Sequence, residues 1–145
     1  MLNSVMEDTM ETTITKINKE EAWEIRHIVM WPEKDFDYIK LEDDDNGIHF
    51  GLYKEKKLIS VISLFINEQE AQFRKFATLL EEQGKGYGSA LLHYCLKEAK
   101  KLGVKRIWCN ARENKTDFYK KFGLEETTFS FTKGGKSYVI MERIL

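Results

Sequence analysis

The chain is poor in the residues that build small covalent or metal-held scaffolds. Its 145 residues include one proline, Pro32, two cysteines, Cys95 and Cys109, and three histidines. Two thiols make neither a disulfide framework nor a four-ligand zinc site, and scattered histidines do not complete one, so no metal is expected. Long apolar runs are missing too: none approaches the roughly 18 residues of a membrane-spanning helix. The opening MLNSVMEDTMETT carries neither the basic nor the apolar region of a secretory signal, so the expectation is a cytoplasmic protein that does not enter a membrane. Charge of one sign is not in surplus either. Lys and Arg number 23 against 24 Asp and Glu, a net charge of −1. A broad nucleic-acid footprint needs an excess of cations on one face, so nucleic acid is excluded as a partner.

What remains is the composition of a soluble globular protein and not of a disordered chain: 42% hydrophobic, 32% charged and 12% aromatic residues. At this length one core can bury most of the surface of the unfolded chain. Residues 1–11 are polar and aperiodic and read as a loose terminus; residues 12–145 read as one domain. Charge is uneven along it. Glu33 to Asp45 holds seven acids against two lysines, and Lys97 to Lys121 nine basic residues against three acids. That asymmetry fits a cationic ligand for the first stretch and an anionic one for the second, and it fits two solvated faces equally well.

Hydrophobic spacing predicts the elements. TTITKI alternates as a strand. Asn18 offers an N-cap with Glu21 three residues on, and Ala22, Trp23, Ile25, Ile28 and Val29 recur at helical spacing until Pro32 disfavours continuation. Glu33 to Gly47 reads as an acidic, turn-rich loop with one helical turn. IHFGLYK and KLISVISLFI form a hairpin, and EAQFRKFATLL a third extended segment. A helix follows the glycines, with Leu91, Leu92, Cys95, Leu96, Ala99 and Leu102 in one stripe and Gly103 as its stop. RIWCNA is a buried strand, NKTDFYKKFG a short helix closed by Gly123, and the chain ends in a second hairpin around GG. This order is α+β, with one strand–helix–strand crossover flanking the glycines.

Gly84, Gly86 and Gly88 fall within five residues, after a strand and ahead of a helix. Glycine costs a helix or strand about 1 kcal/mol relative to alanine, so the bared backbone needs a reason. A strand-to-helix turn is where amide N–H groups lie unpaired and the helix dipole favours negative charge, which makes a phosphate cradle the economical reading, with Lys85 as a nearby cation. A Rossmann fingerprint is not present, because its third glycine position is occupied by Leu91, and no G-x-x-x-x-G-K-[ST] run exists.

Gln83-Gly84-Lys85-Gly86-Tyr87-Gly88 does match Q-x-x-G-x-G, and here the chain resembles the GNAT family of N-acetyltransferases. A second block, NARENKTDFYKKFGL, is similar to that family's A-R-x-x-A-x-x-F-Y-x-K-x-G-F segment, with Ala111, Arg112, Phe118, Tyr119, Lys121 and Gly123 in step. Lys115 stands where alanine is usual, and Leu124 replaces phenylalanine. The resemblance covers residues 12–145. It implies the acyl-CoA N-acyltransferase fold, a mixed and mostly antiparallel central sheet of six or seven strands flanked by helices, with acetyl-CoA as cosubstrate.

By the same resemblance, Phe76, Ala77 and Thr78 would pair with the pantetheine arm as one more strand and turn an amide to the thioester carbonyl. Gln83, Gly84, Lys85, Gly86, Tyr87, Gly88 and Ser89 would take the pyrophosphate through their amides. Asn110 and Asn114 are further cofactor-binding positions, Asn114 also being an N-cap by type. Tyr119 would act as general acid toward the leaving thiolate. In the histone-modifying branch a glutamate lies eleven residues before the glutamine; Gln72 stands there, and it accepts no proton. Glu70, Glu81 and His49 are other bases by type, each also readable as a solvated surface residue, so the base is unassigned. Trp31, Phe36 and Tyr38, mixed with Glu33, Asp35 and Asp37, suit a cationic or aromatic amine.

The expectation is therefore direct acetyl transfer from acetyl-CoA to a primary amine of a small molecule or peptide, neither cysteine serving as an acyl carrier. A silent acyl-CoA-binding module and a transferase for longer acyl chains are the alternatives, and a homodimer is left open.

Overall fold

The computed structural model describes residues 11–145, so the terminus expected to be loose lies, apart from Glu11, outside the described residues. Its elements follow the expected order: β1 (Thr12–Ile17), α1 (Lys19–Met30), β2 (Ile48–Lys54), β3 (Lys57–Asn67), β4 (Glu70–Thr78), α2 (Tyr87–Lys101), β5 (Arg106–Arg112), α3 (Thr116–Lys120), β6 (Glu125–Lys133) and β7 (Lys136–Ile144). The strands hydrogen-bond in the order β1-β2-β3-β4-β5-β7-β6. β1 lies antiparallel to β2, and β7 antiparallel to both β5 and β6. β4 and β5 are parallel, as the crossover through α2 requires.

Local chemistry accounts for the boundaries. Asn18 accepts from the Glu21 amide while the Glu21 carboxylate takes the Asn18 amide, a complete capping box, and α1 stops one residue short of Trp31-Pro32. The loop expected to hold one helical turn holds two 3-10 turns, Phe36–Ile39 and Asp44–Asn46. The β2–β3 hairpin turns on Glu55 and Lys56, both with left-handed φ (50° and 72°), the conformation a two-residue loop needs.

By contacts the described residues form two compact units. One runs to Ser63 and takes in Lys75–Leu92; the other comprises Leu64–Arg74 and His93–Leu145. In the first, Ala22, Ile25, Phe50, Leu52, Ile59 and Ile62 are buried; in the second, Leu64, Cys95, Ala99, Ile107, Cys109 and Met141. Each large aliphatic side chain so buried stabilises the fold by about 1.5–3 kcal/mol. Two stripe assignments are corrected. Leu102 is 55% exposed because α2 ends at Lys101, before the stripe can carry it inward, and Ile28 is exposed while Arg26 is fully buried.

Arg26 is buried because its charge is answered. Its guanidinium meets both carboxylate oxygens of Asp44 at 2.8 and 2.9 Å, and it also donates to Ser63 Oγ and the Ile39 carbonyl. Asp44 further accepts from Trp23 Nε1 and the Leu41 amide. Burial alone would raise the Asp44 pKa; the Arg26 fork and these donors outweigh it and hold the carboxyl at about 2. His49, expected on the surface if not a base, belongs to the same buried network: Nδ1 lies 2.7 Å from Ser63 Oγ and Nε2 3.0 Å from the Asp44 carbonyl. The expected surface placement of His49 is therefore corrected: it is buried, with both ring nitrogens within hydrogen-bond distance of a partner.

Candidate functional site

The first unit holds the glycine turn. Gly84 and Gly86 adopt left-handed φ of 77° and 90°, with open space where a Cβ would project. Their freedom shapes the turn. Gly88 serves differently: a Cβ there would lie 3.3 Å from Phe76 Cζ and 3.4 Å from Thr78 Oγ1, so the missing side chain lets the start of α2 close onto the end of β4. The first bond of α2 runs from the Ala90 amide to the Gly86 carbonyl, and the four preceding amides, Gly86 to Ser89, have no acceptor among the described residues. Four unpaired donors at a helix start, in a glycine frame open to solvent, are a ready anion site.

Gln83 stands just outside that set. Its amide is committed to the Leu80 carbonyl and its side chain donates to the Thr78 carbonyl at 2.9 Å, tying the turn to β4. A second tie was missed by sequence reasoning. Lys54 Nζ bonds Glu82 Oε1 at 3.0 Å, lies 5.4 Å from the centre of the Tyr87 ring, and shares Glu82 with Lys85 at 3.3 Å. Glu82 and Tyr87 flank the glycines, so Lys54 clasps both ends of the turn. Nothing in the sequence pairs residues 28 positions apart.

β4 carries a second feature. Its parallel ladder with β5 spans Glu70 to Gln72, and Lys75 then takes a left-handed φ of 55°, a bulge-like strain of roughly 1–3 kcal/mol in a non-glycine residue. This residue immediately precedes Phe76, Ala77 and Thr78, the segment expected to receive pantetheine. Ser60 fixes that segment from β3, its Oγ lying 2.7 Å from Thr78 Oγ1 and donating to the Ala77 carbonyl at 3.2 Å.

The second unit holds Tyr119. Its ring sits between Phe73 and Phe118, with centroids 5.8 and 5.2 Å away, and its hydroxyl has no hydrogen-bond partner among the described residues. Burial, followed by the neighbouring Cys109, raises its pKa well above that of free tyrosine. Asn110 is exposed on β5 opposite Ile140, and Asn114 is exposed in the 3-10 turn Glu113–Lys115. The N-cap of α3 is Lys115, one residue past the expected Asn114, and it makes no side-chain cap. Both cysteines are buried and their thiols are pushed up to about 12 by burial. Glu70 pairs with Arg106, and Glu81 lies 3.9 Å from Lys57, both at the surface. Among the described residues, no group of three or more His, Cys, Asp or Glu side chains is placed to hold a metal ion, and no helix is long and apolar enough to cross a membrane.

The chain is similar to known proteins. The family model described as Acetyltransferase (GNAT) family matches residues 12–124. The uncharacterized N-acetyltransferase YitI of Bacillus subtilis is 28% identical over 142 residues, covering 91% of this chain and 95% of that protein. Among solved structures, the IAA acetyltransferase from Bacillus cereus superposes with a TM-score of 0.76 at 16% identity, covering 93% of this chain and all of that one. A GNAT family acetyltransferase from Elizabethkingia anophelis, solved with acetyl-CoA bound, gives 0.73 at 14% identity, covering 92% and 98%. At these identities the two structures share the fold.

Proposed function

The chain belongs to the GNAT acetyltransferase family, and from that premise we propose that it moves an acetyl group from acetyl-CoA directly to a primary amine of a small molecule or peptide, with both substrates bound together. It is an N-acetyltransferase by family; the acceptor, the ternary complex and the residue roles are this proposal. The observation that carries it is the set of unpaired amides from Gly86 to Ser89, which supports a site for the pyrophosphate of the cosubstrate.

In this reading Gly84, Lys85, Gly86, Tyr87, Gly88 and Ser89 take the pyrophosphate, Gln83 positions their turn, and the Phe76 to Thr78 segment receives the pantetheine arm. Asn110 and Asn114 contribute to holding the same cosubstrate. The amine nitrogen attacks the thioester carbonyl, the C–N bond forms, and the C–S bond breaks with its electron pair on sulfur. Tyr119 supplies the proton that the sulfur takes; its raised pKa keeps that proton in place at neutral pH. The amine gives its proton to water. Buried thiols held at about 12 are poor nucleophiles, which supports direct transfer over an acyl-cysteine.

Two observations favour a silent acyl-CoA-binding module: Gln72 stands at the base position, and both His49 nitrogens are engaged. A screen separates the two readings. Titration with acetyl-CoA gives binding under both, whereas a panel of primary amines releases free thiol only from an enzyme. No thiol release with any amine class would leave the silent module. Stronger binding of a longer acyl-CoA would instead move the reading to that acyl chain.

A further inference from the structure

Beside the glycine turn Glu82 holds two ammonium groups at once, and the difference between them decides how much positive charge faces the anion site. Lys54 closes β2, whose ladder with β1 pairs it with Thr12, so its backbone is held by the sheet. Glu82 ends the 3-10 turn Leu80–Glu82, its amide bonded to the Leu79 carbonyl at 2.9 Å. One carboxylate oxygen, Oε1, takes both Lys54 Nζ at 3.0 Å and Lys85 Nζ at 3.3 Å. The two contacts are not equivalent. The Lys54 and Glu82 side chains are 14% and 13% exposed, whereas that of Lys85 is 51% exposed. Water screens the Lys85 contact more, and it is the longer of the two, so Lys85 is the partner that leaves at the lower cost. Lys54 is held further by Tyr87, whose ring centre lies 5.4 Å from its nitrogen and whose backbone opens α2 among the unpaired amides.

We propose that Lys54 is a positioning residue for the cosubstrate: it keeps the Glu82 carboxylate engaged, so that Lys85 is free to leave Glu82 for the pyrophosphate of acetyl-CoA. The inference rests on the glycine turn taking that pyrophosphate, as proposed above, and adds how its cation is delivered. Charge counting shows why a residue from a separate strand is needed. With Lys54 in place, two cations face one carboxylate, and one cation is left over for the phosphates. Without it, Lys85 and Glu82 cancel, and a Lys85 that moved would leave a bare carboxylate beside a multiply charged anion. Like charges in a partly screened site repel, and binding weakens. A clasp that merely held the turn in shape would need both partners equally. A neutralising Lys54 makes Glu82 unfavourable to binding by itself, and the two roles therefore differ in sign when Glu82 is removed.

The test is calorimetric titration of acetyl-CoA, at low salt, into the intact wild type, Lys54→Met, Glu82→Gln and the double variant. Met keeps an alkyl stem against Tyr87, and Gln keeps the shape of Glu82. Lys54→Met is expected to weaken binding about fivefold or more, and Glu82→Gln, which frees both lysines, to tighten it severalfold. The double variant should return to within about twofold of the wild type. Lys54→Arg should keep wild-type affinity. So should Lys57→Met, the same charge change at a pair 3.9 Å apart with Glu81, whose side chains are 66% and 63% exposed. Added salt should shrink the Lys54→Met effect. Weaker binding by Glu82→Gln, or a double variant no tighter than Lys54→Met, would overturn the inference in favour of a purely structural clasp. If Lys54→Met folds poorly, the sign of the Glu82→Gln change decides alone. A wild type that binds no acetyl-CoA would bring down the proposed function and this inference together, whereas wild-type binding with the wrong order of variants brings down this inference alone.

Discussion

Gly88 and Phe76 stand so close that a single methyl group on the glycine would lie 3.3 Å from the phenylalanine ring. The helix start carrying the four unpaired amides is thereby seated on the end of β4, and its position depends on a side chain that is not there. Gly88→Val should push α2 and Phe76 apart and lower acetyl-CoA affinity at least tenfold in calorimetry, with the far-UV circular dichroism of the folded protein retained. Gly86→Val should lower affinity as well, but through its φ of 90° and not through a clash, since its Cβ direction is open. Unchanged affinity in both variants would remove the turn from the binding site.

Tyr119→Phe separates chemistry from binding. The ring contacts with Phe73 and Phe118 survive the change, so acetyl-CoA affinity should hold while kcat falls by about 10²-fold or more, the usual range for a lost general acid. Because burial and Cys109 raise the Tyr119 pKa above its ordinary 10, no loss of rate from its deprotonation is expected below pH 10. A variant with full kcat would strip Tyr119 of the role.

The Arg26–Asp44 pair is a stability element whose half-removal is costly. Arg26→Met leaves a buried carboxylate without its cation and should destabilise the fold by about 3–5 kcal/mol in denaturant unfolding. The pH sign follows from the depressed Asp44 pKa. The contribution of the pair is complete above the ordinary carboxyl value of 3.8 and is lost as pH falls toward and through about 2. Wild-type stability should therefore drop across that acid window, and Arg26→Met should show a shallower drop.

Alkylation tests the cysteines. Buried thiols held at about 12 should resist iodoacetamide in the native protein and react, both of them, in denaturant. Cys95→Ala and Cys109→Ala should each keep thiol-releasing activity within a fewfold. Loss of turnover with retained acetyl-CoA binding in either would point to an acyl-enzyme.

Local signals were legible where chemistry is local. The Asn18–Glu21 box, the stop before Pro32 and the left-handed glycines at 103 and 123 each involve residues within a turn of one another. The amphipathic stripe of α2 was legible from Leu91 to Ala99 and failed at Leu102, where periodicity outran the helix. Arg26 could have been found: it stands four residues after Ala22, inside an apolar spacing. Its partner could not, because Asp44 is one of three successive aspartates and only the second is buried.

By itself the sequence determined the element order, the glycine turn between a strand and a helix, and the linked motifs that mark the family, because caps, turns and periodicities act over a few residues. Tertiary structure alone decided which groups answer one another at a distance: Lys54 with Glu82 across the turn, His49 drawn into a buried network, and Lys40 laid over Trp23. Those choices depend on where separate segments meet once the sheet has formed, and a buried charge or an idle ammonium takes whichever partner the packing brings within reach.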